Sequence, residues 1–197
     1  MNLPNRLTIV RIILIPIFVA LFFVEISGFP YLRLAALGVF IVASSTDFLD
    51  GYIARKYNLV TTVGNFLDTI ADKMLVGCAL IAVATDIHEI YLLTIAVAVF
   101  AMINICRELF ISALKMIASA KGVNISADKL GKVKMALQTL SLICLIPYRD
   151  IFALNTFVAD IILYTGVGLL ALATIMAVIA GINYIVKYRY VFKEEKE

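Results

Sequence analysis

The chain is a succession of apolar runs, each about as long as a bilayer is thick, separated by short polar or Pro/Gly-containing breaks. A backbone in lipid must satisfy its own N–H and C=O groups, and an α-helix of about 20 residues both does so and spans the hydrocarbon. Run lengths and breaks predict six helices, at residues 7–25, 33–54, 61–84, 90–118, 131–148 and 156–186. The second, fourth and sixth are expected to project beyond the hydrocarbon. Composition agrees: 63% of residues are hydrophobic and 16% charged, against roughly 45–50% and 25% in soluble domains, and mean hydropathy is +1.02. No composition shift marks a separate soluble unit. The 197 residues therefore read as one integral membrane domain, all-α and polytopic, with six transmembrane helices.

Charge assigns the sides. Most lysines and arginines, including Arg6, Arg55, Lys56, Lys121, Lys129 and those of residues 187–196, fall at one face of this arrangement, whereas the opposite loops offer Arg33 and Arg149. The positive-inside rule then makes both termini cytoplasmic, together with the linker at residues 54–60. The breaks at residues 27–30, 86–89 and 147–155 read as short turns on the other side. The first apolar run lacks a small-residue cleavage site and is followed by further spans, so it is expected to stay as the first helix. Cys78, Cys106 and Cys144 are dispersed in apolar sequence without metal-ligand spacing, which points to packing. His88, the only histidine, falls in an external turn, so no histidine nucleophile or base is expected.

Against this background four carboxylates stand out: Asp47, Asp50, Asp68 and Asp72. Ionisable groups at membrane depth are costly, and they persist where they face a polar cavity, pair or hold ions. Asp47 and Asp50 are three positions apart and Asp68 and Asp72 four, so each pair shares one face of its helix. The short linker between them folds the two helices into an antiparallel hairpin, gathering four anions near the cytoplasmic boundary. Such a cluster needs cations, and hard divalent ions with oxygen ligands are the natural partners: Mg2+ or Mn2+, with room for two ions. Gly51, Gly64 and Ala54 beside the carboxylates would let a nucleotide come close, or let helices pack. Arg55 adds a cation at the level of a phosphate.

The pattern Asp47-x-x-Asp50-Gly51-x-x-Ala54-Arg55, followed after eight residues by Gly64-x-x-x-Asp68-x-x-x-Asp72, resembles the signature of the CDP-alcohol phosphotransferase family. Members are six-helix integral membrane enzymes, commonly homodimeric, that transfer a phosphatidyl or similar group from a CDP-linked donor to an alcohol and release CMP. The resemblance implies that Asp47, Asp50 and Asp68 bind metal and that Asp72 both contacts metal and acts as the base. It further implies that Gly51, Ala54, Arg55 and Gly64 form the CDP site. Asn5 and Thr8 are expected close to that site, although they could also cap and orient the first helix.

Three further segments resemble the branch of the family that uses CDP-diacylglycerol and glycerol 3-phosphate: NLPNRLTIVR at residues 2–11, Arg107-Glu108-Leu109, and Gly131-Lys132-Val133-Lys134. An arginine in an apolar span must meet an anion, either a substrate phosphate or an acid such as Glu108. Lys129, Lys132 and Lys134 at a helix start could complete a phosphate clamp with Arg107 and the backbone amides, or anchor to the inner leaflet. Arg11 could snorkel to headgroups or reach a substrate phosphate. Tyr184, Tyr188 and Tyr190 are read as interfacial anchors.

Two segments depart from the family pattern. Thr69-Ile70 stands where Pro-Leu is usual between the last two aspartates, which predicts a straighter third helix, and Met135 stands where threonine is frequent. The expected partners are CDP-diacylglycerol, glycerol 3-phosphate, the bilayer and a second copy of the chain, with no nucleic acid. The expected location is a bacterial inner membrane, with the site facing the cytoplasm. Other acceptors such as inositol phosphate or serine, or a non-catalytic cation-binding or transport role, are the competing readings; no inverted repeat supports transport.

Overall fold

Apolar sequence with few polar side chains to satisfy its backbone winds into helix throughout the described part of the chain. The computed structural model describes residues 3–25, 31–56, 62–87, 90–120 and 129–188. Among these residues are seven helices and no strand: α1 (Leu3–Phe23), α2 (Leu32–Lys56), α3 (Thr62–Asp86), α4 (Tyr91–Ala120), α5 (Lys129–Leu145), α6 (Tyr148–Leu154) and α7 (Thr156–Tyr188). Each of the six predicted helices is present. Three stretches are long and apolar enough to cross a membrane, Tyr91–Ser119, Leu130–Leu154 and Thr156–Tyr188, and two shorter apolar stretches run over Leu7–Phe23 and Leu32–Thr46.

The structure corrects one turn. Residues 147–155, read from sequence as a loop, contain α6, with Pro147 immediately before its first helical residue. Proline cannot donate the bond that would continue α5, yet its fixed φ suits the start of a helix. Asn155 then breaks the path with an extended backbone (φ −157°, ψ 109°). Its Oδ1 accepts the N–H of Val158 at 3.2 Å, capping α7. α3 is helical through Thr69 and Ile70.

The distribution of side chains is turned inside out relative to a soluble bundle. Large apolar residues such as Ile13, Met116, Phe157 and Val186 face outward, while Arg11, Asn104, Lys134, Gln138, Ser141 and Thr174 are buried. Apolar exteriors suit lipid, and buried polar groups then bond across helices. The Asn104 amide donates to Thr174 Oγ1 at 2.7 Å, joining α4 to α7, and Ser141 Oγ donates to the Gly166 carbonyl at 2.7 Å, joining α5 to α7.

Small residues set how closely the helices approach. Ala36 and Ala43 on α2, Ala79 and Ala82 on α3, and Ala159, Ala173 and Ala177 on α7 are buried. Larger side chains fill what remains: Phe18, Phe22 and Phe40 stack between α1 and α2, with ring centroids 5.9 and 6.1 Å from that of Phe18. α5 packs most extensively on α7, and α1 on α2; α1 also packs on α3, and α4 on both α3 and α7. Near the C-terminal ends of α4 and α7, Ile111, Ala118, Tyr184 and Tyr188 form a second apolar cluster. Tyr184 and Tyr188 are therefore packed inside the bundle, their rings 4.9 Å apart, and are not headgroup anchors. The extended end of α4 covers them; Tyr190 lies outside the described residues.

Candidate active site

The hairpin predicted to carry the aspartates is built from α2 and α3, which pack against each other. Asp47 and Asp50 lie on α2, three positions apart. Asp68 and Asp72 lie one turn apart on α3, both partly exposed, and Gly64 is buried one turn before Asp68. The side chains of Asn5, Asp47, Asp50, Ala54, Arg55 and Lys129, and the surroundings of Gly51, lie outside the described residues.

α1 approaches this pair from the side. Thr8 and Arg11, three positions apart on one face of α1, are both buried. Arg11 Nη1 donates to Asp68 Oδ1 at 2.9 Å. Of the two readings of Arg11, headgroup or substrate phosphate, the structure excludes snorkelling to headgroups: its guanidinium has no exposed surface and hydrogen-bonds a carboxylate of the candidate site. Thr8, expected near the nucleotide, lies on the same α1 face, one turn from Arg11.

The second half of the candidate site comes from α4, α5 and α7. Arg107 and Glu108 are adjacent on α4 and engage different helices. Arg107 Nε donates to the Ala177 carbonyl of α7 at 3.2 Å, while Glu108 accepts from Lys134 of α5 in an ion pair. Gly181 gives Arg107 its room on α7, its missing Cβ lying 3.7 Å from Arg107 Cγ. Lys134 is fully buried, whereas Lys132, two positions earlier, is exposed on α5.

The two halves meet electrostatically. Lys134 feels the charge of Asp72, and Lys73 feels Glu108 as well as Asp68 and Asp72. Lys115 lies within reach of Lys73 and Arg107, and its Nζ sits 5.9 Å from the ring centre of Tyr184. A band of cations thus runs beside the α3 carboxylates. Sequence reasoning placed Arg107 and Lys134 in it but gave no site role to Lys73 or Lys115; Glu108, weighed there as one alternative counter-charge for Arg107, acts on it electrostatically while its hydrogen bond goes to Lys134. The signal for Lys73 and Lys115 was visible as lysines inside or beside apolar runs.

Among the described residues no three acidic, histidine or cysteine side chains converge as a complete metal site. What is described of the donor set fits a hard divalent ion: two carboxylates a turn apart on one helix face, both reachable from outside the core. Chemically, the arrangement offers carboxylates for cations or for a proton, next to buried and half-buried cations suited to phosphate.

Comparison with known proteins decides the family. Residues 1–180 match the CDP-alcohol phosphatidyltransferase family. The chain belongs to this family. Within the CDP-alcohol phosphatidyltransferases it is 38% identical over 187 residues to a protein of Rickettsia bellii, covering 93% of each chain. It is 36% identical over 176 residues to one of Bacillus subtilis, covering 84% of this chain and 88% of the relative. A protein of Escherichia coli K12 is 33% identical over 186 residues, covering 93% of each. All three relatives are named CDP-diacylglycerol–glycerol-3-phosphate 3-phosphatidyltransferase.

Proposed function

We propose that this protein transfers the phosphatidyl group of CDP-diacylglycerol to the 1-hydroxyl of glycerol 3-phosphate, giving phosphatidylglycerophosphate and CMP. The observation that carries the acceptor is the cation band: Arg107 and Lys134, the latter within the field of Asp72, place charge suited to a phosphorylated alcohol beside the carboxylates. Near full-length similarity to relatives named for this reaction supports it.

In this reading Asp47, Asp50, Asp68 and Asp72 hold Mg2+ or Mn2+, as one or two ions. Bound there, the cation supplies charge neutralisation for the donor pyrophosphate and the departing CMP. Gly51, Ala54, Arg55 and Gly64, with Asn5 and Thr8, receive the CDP moiety. Arg107 and Lys134, joined by Lys129 and Lys132 at the start of α5, orient the acceptor phosphate. Asp72 takes the proton of the acceptor hydroxyl as its oxygen bonds to the diacylglycerol-bearing phosphorus; the pyrophosphate P–O bond breaks and CMP leaves. The chain acts as one domain of six spans in a bacterial inner membrane, with termini and site on the cytoplasmic side and a second copy as partner.

The test is CMP release by purified protein with Mg2+, CDP-diacylglycerol and a panel of acceptors. Release with glycerol 3-phosphate alone is the expected result. Release with inositol phosphate or serine instead would move the protein to another branch of its family, and no release with any acceptor would remove the enzymatic reading.

A further inference from the structure

Arg11 is the bulkiest of the fully buried side chains among the described residues. It lies eight positions into α1, about 12 Å along the helix at 1.5 Å per residue. A guanidinium at that depth is an expensive way to hold a bundle together. Buried ion pairs are often no more stabilising than apolar residues of the same volume, so packing alone does not account for it. Its hydrogen bond runs to Asp68 Oδ1, on a side chain that keeps 36% of its surface exposed. The arginine end of the pair is sealed in the core and the carboxylate end is open.

We propose that Arg11 is a positioning residue: from α1 it fixes the rotamer of Asp68 so that the carboxylate is held ready for a divalent cation. The inference rests on the reading of the aspartates as cation ligands. A guanidinium buried on all sides is rigid, and a hydrogen bond to one carboxylate oxygen limits how the other can turn. The positive charge also offsets repulsion between Asp68 and its neighbouring carboxylates before a cation arrives. Partners that orient a metal ligand in this way commonly govern affinity although they never touch the metal.

Two effects of Arg11 on a cation oppose each other, and this gives the test its sign. As a bare positive charge Arg11 repels the cation, so Arg11→Met should tighten binding. As a positioning group it makes Asp68 competent, so Arg11→Met should weaken binding. The measurement is Mn2+ binding to purified protein in detergent, read by electron paramagnetic resonance of free Mn2+ without lipid substrate, for wild type, Arg11→Lys, Arg11→Met, Asp68→Asn and the Arg11→Met/Asp68→Asn double variant.

Arg11→Met is expected to weaken Mn2+ binding about 10- to 100-fold, with Arg11→Lys between it and wild type. In the Asp68→Asn background Arg11→Met should add less than about twofold, because its effect travels through Asp68. Unchanged or tighter binding in Arg11→Met, or an undiminished effect without Asp68, overturns the proposal alone. A wild type that binds no Mn2+ overturns the cation reading of the aspartates as well. Thermal unfolding reports whether each variant is folded. Should Arg11→Met not fold, Arg11→Lys decides: weakened Mn2+ binding in a folded protein supports positioning, and wild-type affinity refutes it.

Discussion

Arg33 grips Asp86 with two hydrogen bonds, Nη2 to Oδ1 at 2.6 Å and Nε to Oδ2 at 3.1 Å, joining the start of α2 to the end of α3. Asp150 of α6 lies 4.0 Å from the same guanidinium and accepts the Leu34 N–H at 2.9 Å, and Phe22 lies beneath Arg33 with its ring centre 5.4 Å away. Both carboxylates are nearly buried. Arg33→Met would strand them, leaving Asp86 to the half-exposed Arg149 at 3.5 Å as its ion-pair partner among the described residues. Removing one partner of a buried pair costs about 3–5 kcal/mol. Asp150→Asn should cost less, since an amide oxygen can still accept from Leu34. The expected order in thermal unfolding in detergent is Arg33→Met least stable, then Asp150→Asn, then wild type. Fourteen positions separate Arg33 from Asp47 on α2, about 21 Å of helix, so CMP release by the folded fraction should not change.

Glu108 and Lys134 should respond unequally to loss of each other. Lys134 keeps 1% of its side-chain surface exposed and Glu108 keeps 16%. Glu108→Gln leaves a buried ammonium with Arg107 as a repelling neighbour and Asp72 as counter-charge. Lys134→Met leaves a carboxylate that water can reach and that Lys73 and Arg107 still balance. Both variants should lower stability, Glu108→Gln by up to about 3–5 kcal/mol and Lys134→Met by less. If the acceptor reading holds, folded Lys134→Met should also show a raised KM for glycerol 3-phosphate with little change in KM for the CDP donor. Equal rises in both would detach Lys134 from the acceptor.

Much of this arrangement can be read from the sequence because bilayer length and carboxylate spacing are local properties. Apolar runs of the right length give the helices, and the separation of four gives the shared face of Asp68 and Asp72 on α3. Long-range pairing is different. Nothing local links Arg11 to Asp68 across 57 positions or Lys134 to Glu108 across 26; these contacts exist because α1 packs on α3 and because α4 and α5 both pack against α3 or α7. Adjacent opposite charges at Arg107 and Glu108 invited a local pairing, yet neighbouring side chains on a helix diverge by about 100° and meet different helices. The helix α6 was missed because Pro147 and Asn155, both turn residues, bracket a stretch too short to show periodicity.

Gly166 on α7 should tolerate no larger residue. A Cβ there would stand 2.7 Å from Leu145 Cγ and Cδ2 and 3.1 Å from Cys144 Cβ, so α5 and α7 would have to separate at their most extensive contact. The same shift would strain the bond from Ser141 Oγ to the Gly166 carbonyl. Gly166→Ala should destabilise by about 1–3 kcal/mol, the usual cost of overpacking, and Leu145→Ala in the same chain should recover part of it. Gly168→Ala, two positions on and with nothing within 4 Å of its added Cβ, is the control and should unfold at or near the wild-type temperature. A similar loss in both variants would trace the effect to α7 itself and not to the α5–α7 contact.

Asp68 and Asp72 share a helix face, and their neutral variants should separate two roles. Asp68 is anchored by Arg11, which suits a carboxylate held still as a ligand. Asp72 lies one turn further along, within the field of Lys134 and so toward the acceptor cations. A base must reach the acceptor hydroxyl, and that position favours Asp72. Asp72→Asn is therefore expected to reduce CMP release by about 10²–10⁴-fold, the usual contribution of a general base, while affinity for CDP-diacylglycerol falls far less. On the proposed cation reading, Asp68→Asn should weaken donor affinity and turnover together, because a loosened ion would affect both. Equilibrium binding of CDP-diacylglycerol alongside CMP release distinguishes the two patterns. Should Asp72→Asn lose binding and turnover by the same factor, Asp72 is a ligand like Asp68 and the base must be sought elsewhere.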